Sequence, residues 1–233
     1  MTGADSLAVW LRVRGEAAWG QGPRLHAELP VVDGFRAWCE GPVRLRDSGR
    51  AERLLRAYAL AQADAARGAP LDFALLSGWQ REVLGGEAPF RSGEAYAKGG
   101  RERYALTAHT QGDFAACLRE ATSSDLPLSA RAARAYLDVA FFHPFVDGNA
   151  RAALLTLVHV LAREGVVLPE VGPLQVARYA DDAEGAADLA TLVGVLNGRR
   201  QEATWTGKRN FDRARSGRYL HLVFGLGRDA CPS

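Results

Sequence analysis

Lysine is nearly missing from this chain. Lys98 and Lys208 are the only two among 29 basic residues, and arginine supplies the rest. The formal net charge is +2, so no global field selects a nucleic acid or a membrane as partner. Cysteine is scarce, and Cys39, Cys117 and Cys231 are odd in number and far apart. They supply neither a disulfide framework nor metal-ligand spacing, which fits a reducing, cytoplasmic setting. The opening MTGADSLAVW lacks the basic start and apolar run of a secretory signal, and a cytoplasmic location is expected. Long hydrophobic runs are absent too. The densest, AALLTLVHVLA over 152–162, is too short to cross a bilayer and suits a buried helix. No internal repeat or low-complexity segment is found.

What is present is helical patterning. With 233 residues, 48% of them hydrophobic, the chain can bury a real core. Leu54, Leu55, Tyr58 and Ala61 recur at helical spacing, closed by Gly68 and Pro70. A second helix is predicted over Leu71–Leu84, stopped by Gly85 and Gly86. The glycine-rich GGEAPFRSGEAYAKGGRERYA that follows predicts a short hairpin turned at Gly99-Gly100. Asp113, Ser129 and Ser48 each read as a helix N-cap. Further helices are predicted at Arg151–Glu164, with Gly165 at the C-cap, and near Ala186–Leu196. The last segment changes character. From Trp205 onward there are six basic and two acidic residues, and RYLHLVF reads as a strand. This basic patch is short and has no nucleic-acid motif beside it, so nucleic-acid binding is not expected.

The stretch that carries chemistry is HPFVDGNAR, His143–Arg151. Pro144 disfavours the α conformation at His143, so the preceding helix should end there and leave the histidine at the mouth of a turn. Gly148 and Asn149 permit unusual backbone angles. The helix that follows starts with free N–H groups and the positive end of its dipole, a natural seat for phosphate. Arg151 can add a bidentate contact to that anion. Asp147 suits Mg²⁺, which typically takes one or two carboxylates with phosphate oxygens and water. His143 can take a proton from a hydroxyl attacking the phosphate. Composition alone favours a plain polar turn; the order of the residues favours a phosphoryl- or nucleotidyl-transfer site.

The order also resembles the signature of the Fic family, His-Pro-Phe-x-(Asp/Glu)-Gly-Asn-Gly-Arg-x-x-Arg, standing here as His143-Pro144-Phe145-Val146-Asp147-Gly148-Asn149-Ala150-Arg151-Ala152-Ala153-Leu154. The resemblance covers about residues 70–200. It implies an all-α bundle with a small β-hairpin flap beside the active-site loop. It implies a core at 67–200, a helical extension at 1–66 and a basic segment at 201–233. By it, His143 is the general base, Phe145 the buried anchor of the loop and Asp147 the Mg²⁺ ligand. The amides of Gly148, Asn149 and Ala150 form the anion hole, and Arg151 meets the β-phosphate. Arg91, Ser92 and Gly93 lie where the flap would dock a target segment by main-chain pairing. The implied reaction moves AMP from ATP to a Ser, Thr or Tyr hydroxyl of a target protein.

Two positions depart from the signature. Ala150 replaces a glycine, without strain if its φ is negative. Leu154 replaces a second arginine that typically grips the γ-phosphate, which opens two alternatives: another donor or phosphotransfer, as in the toxin branch of the family, and a nucleotide- or protein-binding fold without chemistry. It also bears on control. The family's inhibitory motif has its nearest candidate in Ser48–Arg53, but Glu52 would find no arginine at position 154. Built-in inhibition is therefore not expected, and a separate antitoxin-like partner remains open. His159, on an apolar helix, reads as a core histidine, and His109 as a solvated loop residue.

Overall fold

The computed structural model describes residues 4–25, 27, 32–123 and 125–198. The basic stretch from Trp205, with its RYLHLVF and Cys231, lies outside the described residues. In chain order the helices are α1 (Ser6–Glu16), α2 (Gly34–Trp38), α3 (Arg44–Arg46), α4 (Ser48–Ala66) and α5 (Phe73–Leu84). The strands β1 (Ala95–Ala97) and β2 (Glu102–Tyr104) follow. Then come α6 (Thr110–Glu120), α7 (Leu128–Phe142), α8 (Asn149–Ala162) and α9 (Ala183–Gly198). The fold is a helical bundle with one two-stranded antiparallel sheet among the described residues.

The centre of the bundle is the α7–α8 pair. Both are apolar nearly all round, as buried helices must be. α9 packs on α7, and α4 packs on α8. α4 buries Ala51, Leu54, Tyr58, Ala61 and Ala65, a stripe at helical period that faces the centre. α1 is held on α7 by polar bonds as well as packing. Trp10 is fully buried beside Phe141 and donates its indole N–H to Asp138 (3.0 Å). The Arg14 guanidinium grips both oxygens of the same carboxylate, at 2.8 and 3.1 Å. This fork geometry satisfies a charge that would otherwise be stranded in the core.

The stop signals in the sequence work as expected. Gly85 ends α5 in the left-handed region at φ +73°, with its amide on Arg81 O. Lys98, Gly99 and Gly100 all take positive φ and turn the hairpin, which pairs Ala95 with Tyr104 and Ala97 with Glu102. The N-caps differ from expectation. Asp47, not Ser48, caps α4 by accepting from Arg50 N (2.8 Å). Asp72 caps α5, which therefore starts at Phe73 and not at Leu71. Asp113 lies inside the first turn of α6. That helix begins earlier because Thr107 and Thr110 bind each other's turn through their hydroxyls. Ser129 lies inside α7, and its hydroxyl donates to Pro23 O (3.0 Å). Both described cysteines, Cys39 and Cys117, are free, and burial pushes their thiols up to about 12, so they are packing residues. Among the described residues no helix is long and apolar enough to cross a membrane.

Candidate active site

The loop between α7 and α8 is fixed from every side. α7 stops at Phe142 because the Pro144 ring excludes the α conformation one residue earlier. His143 takes a left-handed turn (φ 50°, ψ 53°) with its amide still on Val139 O (3.2 Å). Phe145 is buried and stacks on Phe73 of α5 (5.5 Å, 27°), which anchors the middle of the loop. Asn149 closes it. Its side-chain oxygen accepts from Phe145 N (2.9 Å) and its amide donates to Phe145 O (2.8 Å). Gly148 follows at φ +77°. A Cβ there would meet Gln80 Nε2 at 2.3 Å, so only glycine fits. Gln80, fully buried on α5, donates to Asp147 O (2.7 Å) and holds the turn from above.

His143 is oriented for base chemistry. Its Nδ1–H donates to Ala140 O (3.2 Å), which leaves the Nε2 lone pair free to accept a proton. The ring stacks nearly flat on Tyr104 of the flap (5.0 Å, 14°). Burial lowers its pKa below the ordinary histidine value; the Ala140 bond opposes this, and Arg91 and Lys98 reinforce it. The imidazole is therefore neutral at pH 7. Tyr104 is held in turn, because its hydroxyl donates to Glu102, which pairs with Lys98 and accepts from Ala180 N (2.9 Å).

The groups with the chemistry to seat an anion lie at the start of α8, at the other end of the loop. The side chain of Asn149 is committed to Phe145, and no side chain caps α8. The amides of Asn149 and Ala150, in its first turn, have no intrahelical acceptor. The third predicted amide, Gly148 N, is taken by Asp147 Oδ1 (2.6 Å). Ala150 is helical with ordinary φ, so its methyl causes no strain. Arg151 pairs with Asp147 Oδ2 (3.0 Å) over the same turn. The Asp147 side chain is 77% exposed. Among the described residues it belongs to no cluster of three metal-ligating groups. A lone exposed carboxylate beside an anion seat fits Mg²⁺, which completes its shell with phosphate oxygens and water.

The flap residues divide. Ser92 and Gly93 are exposed. The Arg91 side chain is not presented to a target. It is buried, and its guanidinium donates to the carbonyls of Gly93, Ala105 (2.7 Å) and Phe142 (3.4 Å), while its amide donates to Pro144 O (2.8 Å). Arg91 thus locks the base of the flap to the loop that carries His143. Leu154 is 1% exposed and belongs to the core. Glu52 faces outward and pairs with Arg44 (3.5 Å). His159 is a core residue as expected, with Nδ1 donating to Ala61 O (3.0 Å) and its ring on Trp79. Sequence reasoning missed Gln80 and Tyr104, whose roles come from distant elements brought to the loop.

Comparison with known proteins agrees with this layout. Residues 70–161 match the family model described as Fic/DOC family. No curated protein matches the chain. Among solved structures, the chain is similar to IbpAFic2 covalently tethered to Cdc42 (TM-score 0.50, 12% identity, covering 82% of this chain and 69% of that one). Two others are a Fic-domain-containing signalling protein from Bacteroides thetaiotaomicron (TM-score 0.48, 16% identity, 82% and 84%) and Fic-1 from C. elegans (TM-score 0.44, 16% identity, 82% and 67%). The hairpin and the ordered loop His143–Arg151 both lie within the segment, residues 70–161, that is similar to the Fic/DOC family.

Proposed function

We propose that this protein is a Mg²⁺-dependent protein adenylyltransferase. It moves AMP from ATP to a Ser, Thr or Tyr hydroxyl of a target protein. Members of its family are typically transferases. The observation that carries the reading is the pairing of a neutral His143, with Nε2 free, and an uncapped α8 N-terminus at the two ends of one loop. The helix amides and Arg151 hold the donor phosphates. The target hydroxyl bonds to the α-phosphorus, the bond to pyrophosphate breaks, and the hydroxyl proton goes to His143 Nε2. Asp147 is the residue that would hold Mg²⁺, which when bound offsets charge on the phosphates. β1 and the exposed Ser92 and Gly93 offer main chain to a target segment. The edge of β2 is partly taken, since Asp5 bridges Arg103 and accepts from Ala105 N (3.0 Å). Control by a separate partner suits a chain whose Glu52 is turned away from the site.

A second reading is favoured by the burial of Leu154, which supplies no cation toward the donor. In it the donor or the transferred group differs, or the fold only binds nucleotide. One experiment separates these readings. Lysate, Mg²⁺ and the full chain are incubated with ATP labelled at the α- or the γ-phosphate, with His143→Ala as control. Label from the α-phosphate on a protein band, lost in the variant, is the expected result. Label from the γ-phosphate alone would establish phosphotransfer instead. Nucleotide binding without transfer, indifferent to His143, would sink the enzyme reading.

A further inference from the structure

α4 brings two more cations to the site. α5 runs antiparallel to α4: Trp79 bonds Asp64 (2.7 Å), Glu82 pairs with Arg56 (2.9 Å), and Arg53 Cδ lies 3.7 Å from where a Gly85 Cβ would stand. α8 lies along the other side, with His159 bonded to Ala61. Ten residues back on each helix is about 15 Å at roughly 1.5 Å per residue. That sets Ala51 level with Asn149, and the half-buried Arg50 and Arg53 level with the phosphate end of α8. Both are near enough for their charges to act on Arg151.

These arginines are poorly matched to carboxylates. Arg50 reaches Asp47 only at 3.6 Å, and Arg53 makes no salt bridge among the described residues. The Nε atoms of both are buried without a hydrogen-bond partner. Three guanidiniums therefore face two exposed carboxylates, Asp47 and Asp147. Holding like charges together with unpaired N–H groups is costly unless an anion completes them. An outward charged face on α4 would be the ordinary explanation of either arginine alone. It does not explain why both lie level with Arg151 at the uncapped start of α8.

We infer that Arg50 and Arg53 form a second phosphate subsite, which takes the terminal phosphate of a nucleoside triphosphate whose inner phosphates lie on Arg151 and the α8 amides. The task that Leu154 cannot perform is thereby moved from α8 to α4. This rests on the nucleotide-binding reading given above. Both residues bind the donor and set its specificity, and neither takes part in the proton transfer at His143.

The test is calorimetric titration of the full chain with ATP and with ADP, each with Mg²⁺. The variants are Arg50→Gln/Arg53→Gln and Arg50→Lys/Arg53→Lys. In the Gln pair ATP affinity should fall about tenfold or more, while ADP affinity stays within about twofold. The Lys pair should retain most of the preference, since the charge remains. The ligand-free melting temperature of the Gln pair should not fall, because repulsion is relieved. An unchanged ratio of ATP to ADP affinity, or an equal loss of both, overturns the subsite and leaves the reading of Arg151 and α8 standing. A wild type that binds neither nucleotide overturns both.

Discussion

Asn149→Ala tests how the loop is held. The side chain is 3% exposed and makes two hydrogen bonds to one residue, accepting from Phe145 N (2.9 Å) and donating to Phe145 O (2.8 Å). The substitution leaves a buried N–H and a buried C=O without partners. Each such group costs about 1–3 kcal/mol, and partial entry of water puts the sum at roughly 2–4 kcal/mol. For a domain of this size each kcal/mol moves the midpoint by roughly 2–4 °C, so the melting temperature should fall by about 5–15 °C. Transfer activity should fall further than stability, because the same clamp sets the distance from His143 to the α8 amides. Asn149→Asp keeps the acceptor for Phe145 N and should be intermediate in stability. Val146→Ala, in the same loop but at an 87% exposed position, is the control and should change nothing. The assays are calorimetric melting at fixed pH and His143-dependent label transfer. If Asn149→Ala melts within a degree or so of the parent and transfers at the parental rate, Phe145 and Arg91 hold the loop without it, and the reasoning is refuted.

Other substitutions probe the neighbouring contacts. Gly148→Ala places a Cβ 2.3 Å from Gln80 Nε2 at a φ of +77°, and should cost at least about 1–2 kcal/mol and most of the transfer rate. Adding Gln80→Ala should recover part of that stability in melting experiments; no recovery would mean the clash is elsewhere. The acid limb of the rate profile should lie below the ordinary histidine value of about 6.5, since burial first, then Arg91 and Lys98, lower His143. Lys98→Met removes one of those cations and leaves Glu102 unopposed. It should move the limb to higher pH, and a shift to lower pH would contradict the assignment. Asp138→Ala leaves the Trp10 N–H without its acceptor and Arg14 with Glu120 as its one remaining carboxylate, and should cost about 3–5 kcal/mol in chemical denaturation. A loss within error would mean α1 is held by packing alone.

Much of this was legible along the chain. Glycines at 85, 99, 100 and 165 take the positive φ that their positions suggested, because that conformation is a property of one residue and its neighbours. The end of α7 at Phe142 was legible from Pro144 for the same reason. N-caps were less so. Asp47 and Ser48 are adjacent and both competent, and the choice between them depends on how α3 delivers the chain to α4. Ser129 looked like a cap until its hydroxyl met Pro23, 106 residues away in the chain. The sequence places Arg91 in the segment where the flap would dock a target by main-chain pairing, and leaves the direction of its side chain open. Only the packed structure turns it inward to the carbonyls at 93, 105 and 142, since nothing local records an inward arginine.

The sequence by itself determined the chemistry of the loop. His143, Asp147, Gly148, Asn149 and Arg151 are contiguous, so their order dictates a helix end, a tight turn and a helix start in fixed succession. The likeness of residues 70–161 to the Fic/DOC family follows from the same contiguous order. Tertiary structure decided what surrounds that loop. Gln80 closes it from α5, Tyr104 backs the imidazole from the flap, and Arg50 and Arg53 flank it from α4. These residues lie from about forty to a hundred positions away in the chain. Their placement follows from which apolar faces pack together, and a linear pattern does not specify that.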